Sequence, residues 1–299
     1  MYMRFGKDLI CETVKRICQM KKKGNSRLAL LDSLRGITLI SMILYHACWD
    51  AVYILGMDWP WYRSRAGFVW QQSICWTFIL LSGFCVPFST RLLRRGLEVF
   101  AAGALVMLVT NLVLPEDRVI FGVLTLIGSC MLLMVPVRKM AENSAQSLSA
   151  GKSASDANAA SKKRAVISFA VFAALFILFR DVNQEVIGTG LLHRIIPLIP
   201  LVTVSMPEFL YRDLFTAYLG FPGPGFYSTD YFSLLPWAFL YMCGYELHLI
   251  FRATGAIDAP ILRKGFEPLA FLGRNSLLIY LLHQPVLYAF VLLYGLLVH

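Results

Sequence analysis

The chain has 299 residues, of which 58% are hydrophobic and only 15% charged. Soluble domains run at roughly 45–50% apolar and about 25% charged residues, so this composition, with a mean hydropathy of +0.63, excludes a disordered chain and argues against a water-soluble enzyme. The apolar surplus needs lipid and indicates an all-α, multi-pass transmembrane bundle. The formal net charge of +10 is then explained by basic loops that set orientation, with no need for a nucleic-acid partner.

Residues 1–26 are basic, and residues 27–299 read as one membrane domain. In the basic tail, Ile10, Val14, Ile17 and Cys18 recur at helical spacing among Lys7, Lys15, Arg16 and Lys21–Lys23. The pattern fits an amphipathic helix on an anionic membrane surface and a loosely ordered cytoplasmic tail equally well. A helix that crosses the hydrocarbon core needs about 20 mostly apolar residues. The first such segment is Leu28 to Ala47, continuing helically to Leu55. Ala66–Thr90 and Asn275–His299 each give 25 residues without Asp, Glu, Lys or Arg, Val119–Val137 gives 19 and Val99–Pro115 gives 17. Ala165–Phe179 and Tyr231–Tyr245 give 15 each and need their flanks to cross. The expected count is seven spans.

Two connecting stretches stand apart. Residues 141–164 are rich in Ser, Ala, Asn and Lys and read as a flexible cytoplasmic loop. Residues 180–230 read as a non-cytoplasmic cap. Within it Leu191–Val204 is apolar but broken by Arg194, Pro197 and Pro200, and the Gly/Pro cluster Gly220–Gly225 follows. Such a segment is re-entrant, lies over the bundle, or makes an eighth span; irregular backbone at membrane depth is tolerated only against protein or a wet cavity. Seven spans with the N-terminus in the cytoplasm put 22 Lys and Arg on the cytoplasmic side and 6 on the other, the asymmetry that the positive-inside rule requires.

Ionisable groups inside spans are costly and therefore candidates for function. The first span holds Asp32, Arg35, His46 and Asp50. His46 and Asp50 are four residues apart and share a helix face, an arrangement in which a carboxylate orients an imidazole that takes a proton near neutral pH. Arg35 stands eleven residues before His46, about three turns and roughly 16 Å of rise, on the same side of the helix. The last span repeats the pattern, with Arg274 and Asn275 at its start and His283 nine residues beyond Arg274. The two spans run in one direction, so both histidines are expected at one depth around a shared polar cavity. Arg91 and Arg95, in the run RLLRR, serve as positive-inside anchors or as a phosphate-holding pair with Arg35, since Arg forks match phosphate oxygens. The seven cysteines show no CxxC and no Cys/His spacing for zinc; reduced thiols and no metal are expected.

The same residues carry a family likeness. Leu31–His46 (LDSLRGITLISMILYH) resembles the opening helix of the membrane acyltransferase superfamily, whose members share an Arg, ten residues and then a His; Arg35 and His46 stand at that spacing. Trp76–Phe84 (WTFILLSGF) resembles the second-helix signature and Leu272–Leu287 (LGRNSLLIYLLHQPVL) the last helix. Asp230–Leu247 and Phe121–Leu133 resemble the small bacterial relatives of heparan-alpha-glucosaminide N-acetyltransferase, although Thr125 stands where those relatives often have His. The likeness implies a bacterial inner-membrane enzyme that transfers an acyl group from acetyl-CoA to a carbohydrate amine or hydroxyl, with His46 as the catalytic position and Arg35, Arg91 and Arg95 on the donor's phosphates. A proton-coupled transporter or flippase built on the same His/Asp/Arg set is the competing reading, and a non-catalytic partner of an envelope-polymer assembly system a weaker third. The sequence leaves homo-oligomerisation open. A periplasm-dependent reporter such as alkaline phosphatase, fused after Val137, is expected to be inactive; activity at that point would overturn the charge-based orientation.

Overall fold

The computed structural model describes residues 28–149 and 154–298, so the expectations for the basic segment 1–26 fall outside the described residues. In chain order the elements are α1 (Ala29–Tyr53), α2 (Arg65–Phe84), α3 (Leu92–Val113), α4 (Val123–Ser149), α5 (Ala154–Leu178), β1 (Val186–Gly188), α6 (Gly190–Ile195), β2 (Thr203–Ser205), α7 (Leu214–Leu219), α8 (Leu234–Ala253), α9 (Pro260–Arg263), α10 (Glu267–Arg274) and α11 (Ser276–Val298). Seven of these helices are long, and each overlaps one segment expected to cross. Four helical stretches are long and apolar enough to span a membrane: Leu92–Val113, Val123–Ala141, Asp156–Gln184 and Leu234–Ala253. Ser276–Val291 in α11 is a shorter apolar helix. The remaining two, α1 and α2, carry the polar load: Asp32, Arg35, His46 and Asp50 on the first, Gln71, Gln72, Ser73 and Thr77 on the second.

Two connections differ from expectation. Helix α4 runs on to Ser149 and α5 starts at Ala154, so most of 141–164 is helical and not a loop; Ala, Lys and Glu propagate a helix that hydrophobic periodicity does not mark. In 180–230, β1 pairs antiparallel with β2, Ile187 opposite Val204, and α6 has six residues. Six residues rise only about 9 Å, far short of the roughly 30 Å core, so α6 makes no eighth span. Asp213 and Thr216 close a capping box at the start of α7.

Helix α8 is central: half of its apolar stretch is buried, against 11% for α3, whose Leu105, Leu108 and Leu112 point outward. Around α8 cluster Ile79, Leu126, Met134, Phe176, Trp237 and Tyr241. The five described cysteines, Cys48, Cys75, Cys85, Cys130 and Cys243, are free thiols. Lipid supplies no hydrophobic force between helices, so close backbone contact at small residues drives their pairing. The α2/α8 crossing shows it reciprocally: a Cβ on Gly83 would lie 2.0 Å from the Tyr241 carbonyl oxygen, and one on Gly244 2.2 Å from that of Leu80. The α1/α10 crossing is built the same way, with Gly36 against the Leu269 carbonyl and Gly273 against that of Asp32. Replacing Gly83 by Ala forces backbone to shift at the centre of the bundle. We expect G83A to lose about 1–3 kcal/mol of stability, read as a lower unfolding midpoint in detergent; an unchanged midpoint would contradict this packing.

Candidate active-site cavity

A cavity of about 490 Å³ is walled by α1, α2, α3, α4, α8 and α11 and by the loop ahead of α8. Along α1 its lining runs from Arg35 to Ile54, about 28 Å of helical rise, close to the roughly 30 Å depth of a bilayer core. Its polar side chains are sorted by charge along that length.

The middle holds the histidines. The His46 ring lines the cavity and lies 4.9 Å, centroid to centroid and edge-on, from His283. His283 is buried; its Nδ1 donates to the Tyr280 carbonyl, which leaves Nε2 as the lone-pair nitrogen, buried and without a partner among the described residues. Asp50 is 1% exposed, and its Oδ1 accepts from Gln284 Nε2 at 2.9 Å while its Oδ2 has no partner. The carboxylate thus joins α1 to α11 through Gln284 and makes no bond to His46. Helical spacing places the two on one face but leaves the choice of partner to the neighbouring helix.

At one end sit the cations. Arg35 lines the cavity and is only loosely held, its guanidinium 3.4 Å from Asp32 and 3.2 Å from the Cys85 sulfur. Arg95 also lines it, whereas Arg91, at the start of α3, is exposed and does not, and Arg94 turns away to Glu98 at 2.8 Å. The buried Ser89 hydroxyl faces this end without a partner, and Arg138 donates to the Ser89 carbonyl at 2.8 Å. Arg274 is drawn into an ion pair with Glu267, and the Asn275 side chain donates to the Phe271 carbonyl at 2.9 Å. Both therefore stay off the cavity wall and shape the joint between α10 and α11.

The opposite end is acidic. Asp117 and Asp230 line it with Thr229 and Tyr288, and the Tyr280 hydroxyl donates to Asp230 Oδ2 at 3.4 Å. Three acids of the cap that precede it in the chain, Glu185, Glu208 and Asp213, are exposed. Burial raises the Asp230 carboxyl from the ordinary 3.8 to about 6, opposed by the Tyr280 hydroxyl and the Val123 amide. Two further histidines have structural partners, His193 the Ile199 carbonyl at 2.8 Å and His248 the Phe84 carbonyl at 3.0 Å. Thr125 is buried at the α3/α4 crossing, against Gly103. Among the described residues no group of three or more His, Cys, Asp or Glu could hold a metal ion.

Apolar membrane-length helices around a cavity with a partly polar lining define a helical membrane protein. The family model for the catalytic region of heparan-alpha-glucosaminide N-acetyltransferase matches residues 27–152 and 166–285. The chain belongs to that family, one of membrane acetyltransferase-like enzymes. No curated protein and no solved structure matches it.

The Asp230 shift fixes a pH dependence of stability. Between about pH 4 and 6 the folded protein keeps a proton that the unfolded chain has released, so this acid weakens the fold as pH rises through that window. The unfolding midpoint of D230N is expected to fall less than that of the wild type between pH 4.5 and 6.5. Parallel curves would contradict a raised Asp230 pKa.

Proposed function

We propose that the chain is an integral-membrane acyltransferase that moves an acetyl or other short acyl group from acyl-CoA to an amine or hydroxyl of an envelope glycan. The membrane is the bacterial plasma membrane, with the N-terminus and the Arg35 end of the cavity on the cytoplasmic side. The observation that supports this reading is the set of groups on the wall of one cavity: the guanidiniums of Arg35 and Arg95, the imidazole of His46, and the carboxylates of Asp117 and Asp230. Coenzyme A is a polyanion with its reactive thioester at the far end of a long arm. Arg35, Arg95 and the Ser89 hydroxyl would take its phosphates, with Arg91 drawing the anion to the mouth, and the arm would lie along the wall of α1.

His46 acts as general base. It accepts the proton of the acceptor N–H or O–H as that atom attacks the thioester carbonyl; the new C–N or C–O bond forms, the C–S bond breaks, and the imidazolium returns the proton to the departing thiolate. The lone pair of His283 Nε2 beside the ring supports the imidazolium, and Asp50, through Gln284, holds α11 so that His283 stays there. Arg274 and Asn275 act at one remove, by fixing where α11 begins.

Purified protein is expected to transfer acetyl from acetyl-CoA to a small amino sugar. His46→Ala lowers kcat by about 10²–10⁴-fold while coenzyme A still raises the unfolding midpoint. Arg35→Ala instead raises the donor KM, by roughly tenfold or more for a lost charge-assisted contact. Transfer that survives in H46A, or intact wild type that binds no coenzyme A, would sink the proposal.

A further inference from the structure

We infer that residues 195–204 of the cap form a membrane anchor, an uncharged loop that enters the phospholipid leaflet at the end of the bundle away from Arg35 and does not cross it. The seat of this loop does not depend on the acyltransferase reading.

The loop reads IIPLIPLVTV and holds no Asp, Glu, Lys, Arg or His. The fold turns its side chains outward instead of packing them: Ile195, Ile196, Leu201, Val202 and Val204 are about half exposed or more, and Leu198 is 92% exposed. Single apolar side chains on a surface are ordinary, whereas a run of this kind marks contact with lipid or with another protein.

The backbone is prepared for lipid. Irregular chain at membrane depth is tolerated where its polar groups are satisfied without water. Pro197 and Pro200 carry no N–H. The Ile196 amide donates to the Leu192 carbonyl at 2.7 Å, that of Ile199 to the Ile196 carbonyl at 3.0 Å and that of Val202 to the Thr189 hydroxyl at 2.8 Å. The carbonyls are served as well. Pro200 accepts from the Thr189 hydroxyl at 2.7 Å, Val202 from the Thr189 amide at 2.9 Å and Ile199 from His193 Nδ1 at 2.8 Å. A loop turned to water has no need of such partners, since water would serve the same groups.

The position of the loop selects lipid over a protein partner. Arg65 begins α2, and its guanidinium donates to the Ile195 carbonyl at 2.9 Å. Cys85, just past the other end of α2, meets Arg35, so the loop lies at the end of the bundle away from Arg35. Phe68 and Val69 follow Arg65 by three and four residues, share its helix face and are exposed. The face of α2 that holds the loop is thus the face turned to lipid, and none of residues 195–204 lines the cavity. Just ahead of Arg65, the rings of Trp59 and Trp61 stack 6.1 Å apart, and Arg63 lies over the Tyr53 ring. Aromatic rings and arginines gathered in this way mark the boundary between hydrocarbon and headgroups, and the loop is tied to that boundary through Arg65.

The test places the full-length protein in vesicles of phosphatidylethanolamine and phosphatidylglycerol, with a nitroxide on L198C and, as the water-side reference, on E208C. Identically treated wild type supplies the background from native thiols. The ratio of collisions with oxygen, which concentrates in hydrocarbon, to collisions with a water-soluble nickel chelate is expected to be severalfold higher at L198C than at E208C. A label on L198C that meets the chelate as readily as one on E208C would overturn the inference, as would a label shielded from both reagents, the sign of a protein partner. The unaltered protein gives a second readout that needs neither variant to fold. A phospholipid with a photoactivated diazirine in its acyl chain is expected to label peptides that contain residues 195–204, and an absence of label there would overturn the inference.

Discussion

The α1/α10 crossing sets the geometry on which the site depends. Gly36 and Gly273 meet there with so little clearance that a Cβ on either would lie within 2.0 Å of a backbone oxygen of the other helix. Helix α10 passes into α11 with a break of one residue, Asn275. From that joint the two chains climb side by side: His46 is ten residues beyond Gly36, and His283 ten residues beyond Gly273. Equal rise, about 15 Å on each helix, brings the two rings to one level and 4.9 Å apart. One turn higher the Asp50–Gln284 bond ties the same pair of helices again. The level of the two histidines is thus set by register, with a glycine contact below and a buried amide–carboxylate contact above.

That register also explains how a greasy bundle tolerates its charges. Unpaired charge in a membrane interior is expensive, and each ionisable group on α1 meets a different answer. Asp32 and Arg35 face each other near the start of the helix, Asp50 accepts from Gln284, and His46 borders the cavity. On the cavity wall stand Arg35, loosely held by Asp32, with Arg95, the unpartnered Ser89 hydroxyl and Asp230.

Much of the fold was legible because membrane spans are a local property. A run such as Ala66–Thr90, without a single charge, announces a helix whatever surrounds it, and all seven expected segments lie on long helices. The stretch 141–164 misled because its Ser- and Ala-rich composition suits a linker and a solvated helix alike. The apolar run Leu191–Val204 misled in the other direction: hydropathy marks burial or lipid contact, while the breaks at Pro197 and Pro200 and the pairing of Ile187 with Val204 make a small cap.

The site was legible only where one helix carries it. Arg35 and His46 share a face of α1, and their spacing places both on the cavity. Partner choice across helices is tertiary and left no mark in the sequence: Asp50, expected beside His46, bonds Gln284, and Arg274, expected as the counterpart of Arg35 on the last span, pairs with Glu267. Asp230 was hidden among acidic residues of a long loop, where solvation is the ordinary expectation. The most direct test of the account is an experimental structure with a non-hydrolysable acetyl-CoA analogue bound. The account predicts the phosphates between Arg35 and Arg95 and the acyl carbonyl beside His46; phosphates at the Asp117/Asp230 end, or an analogue bound outside the cavity, would contradict it.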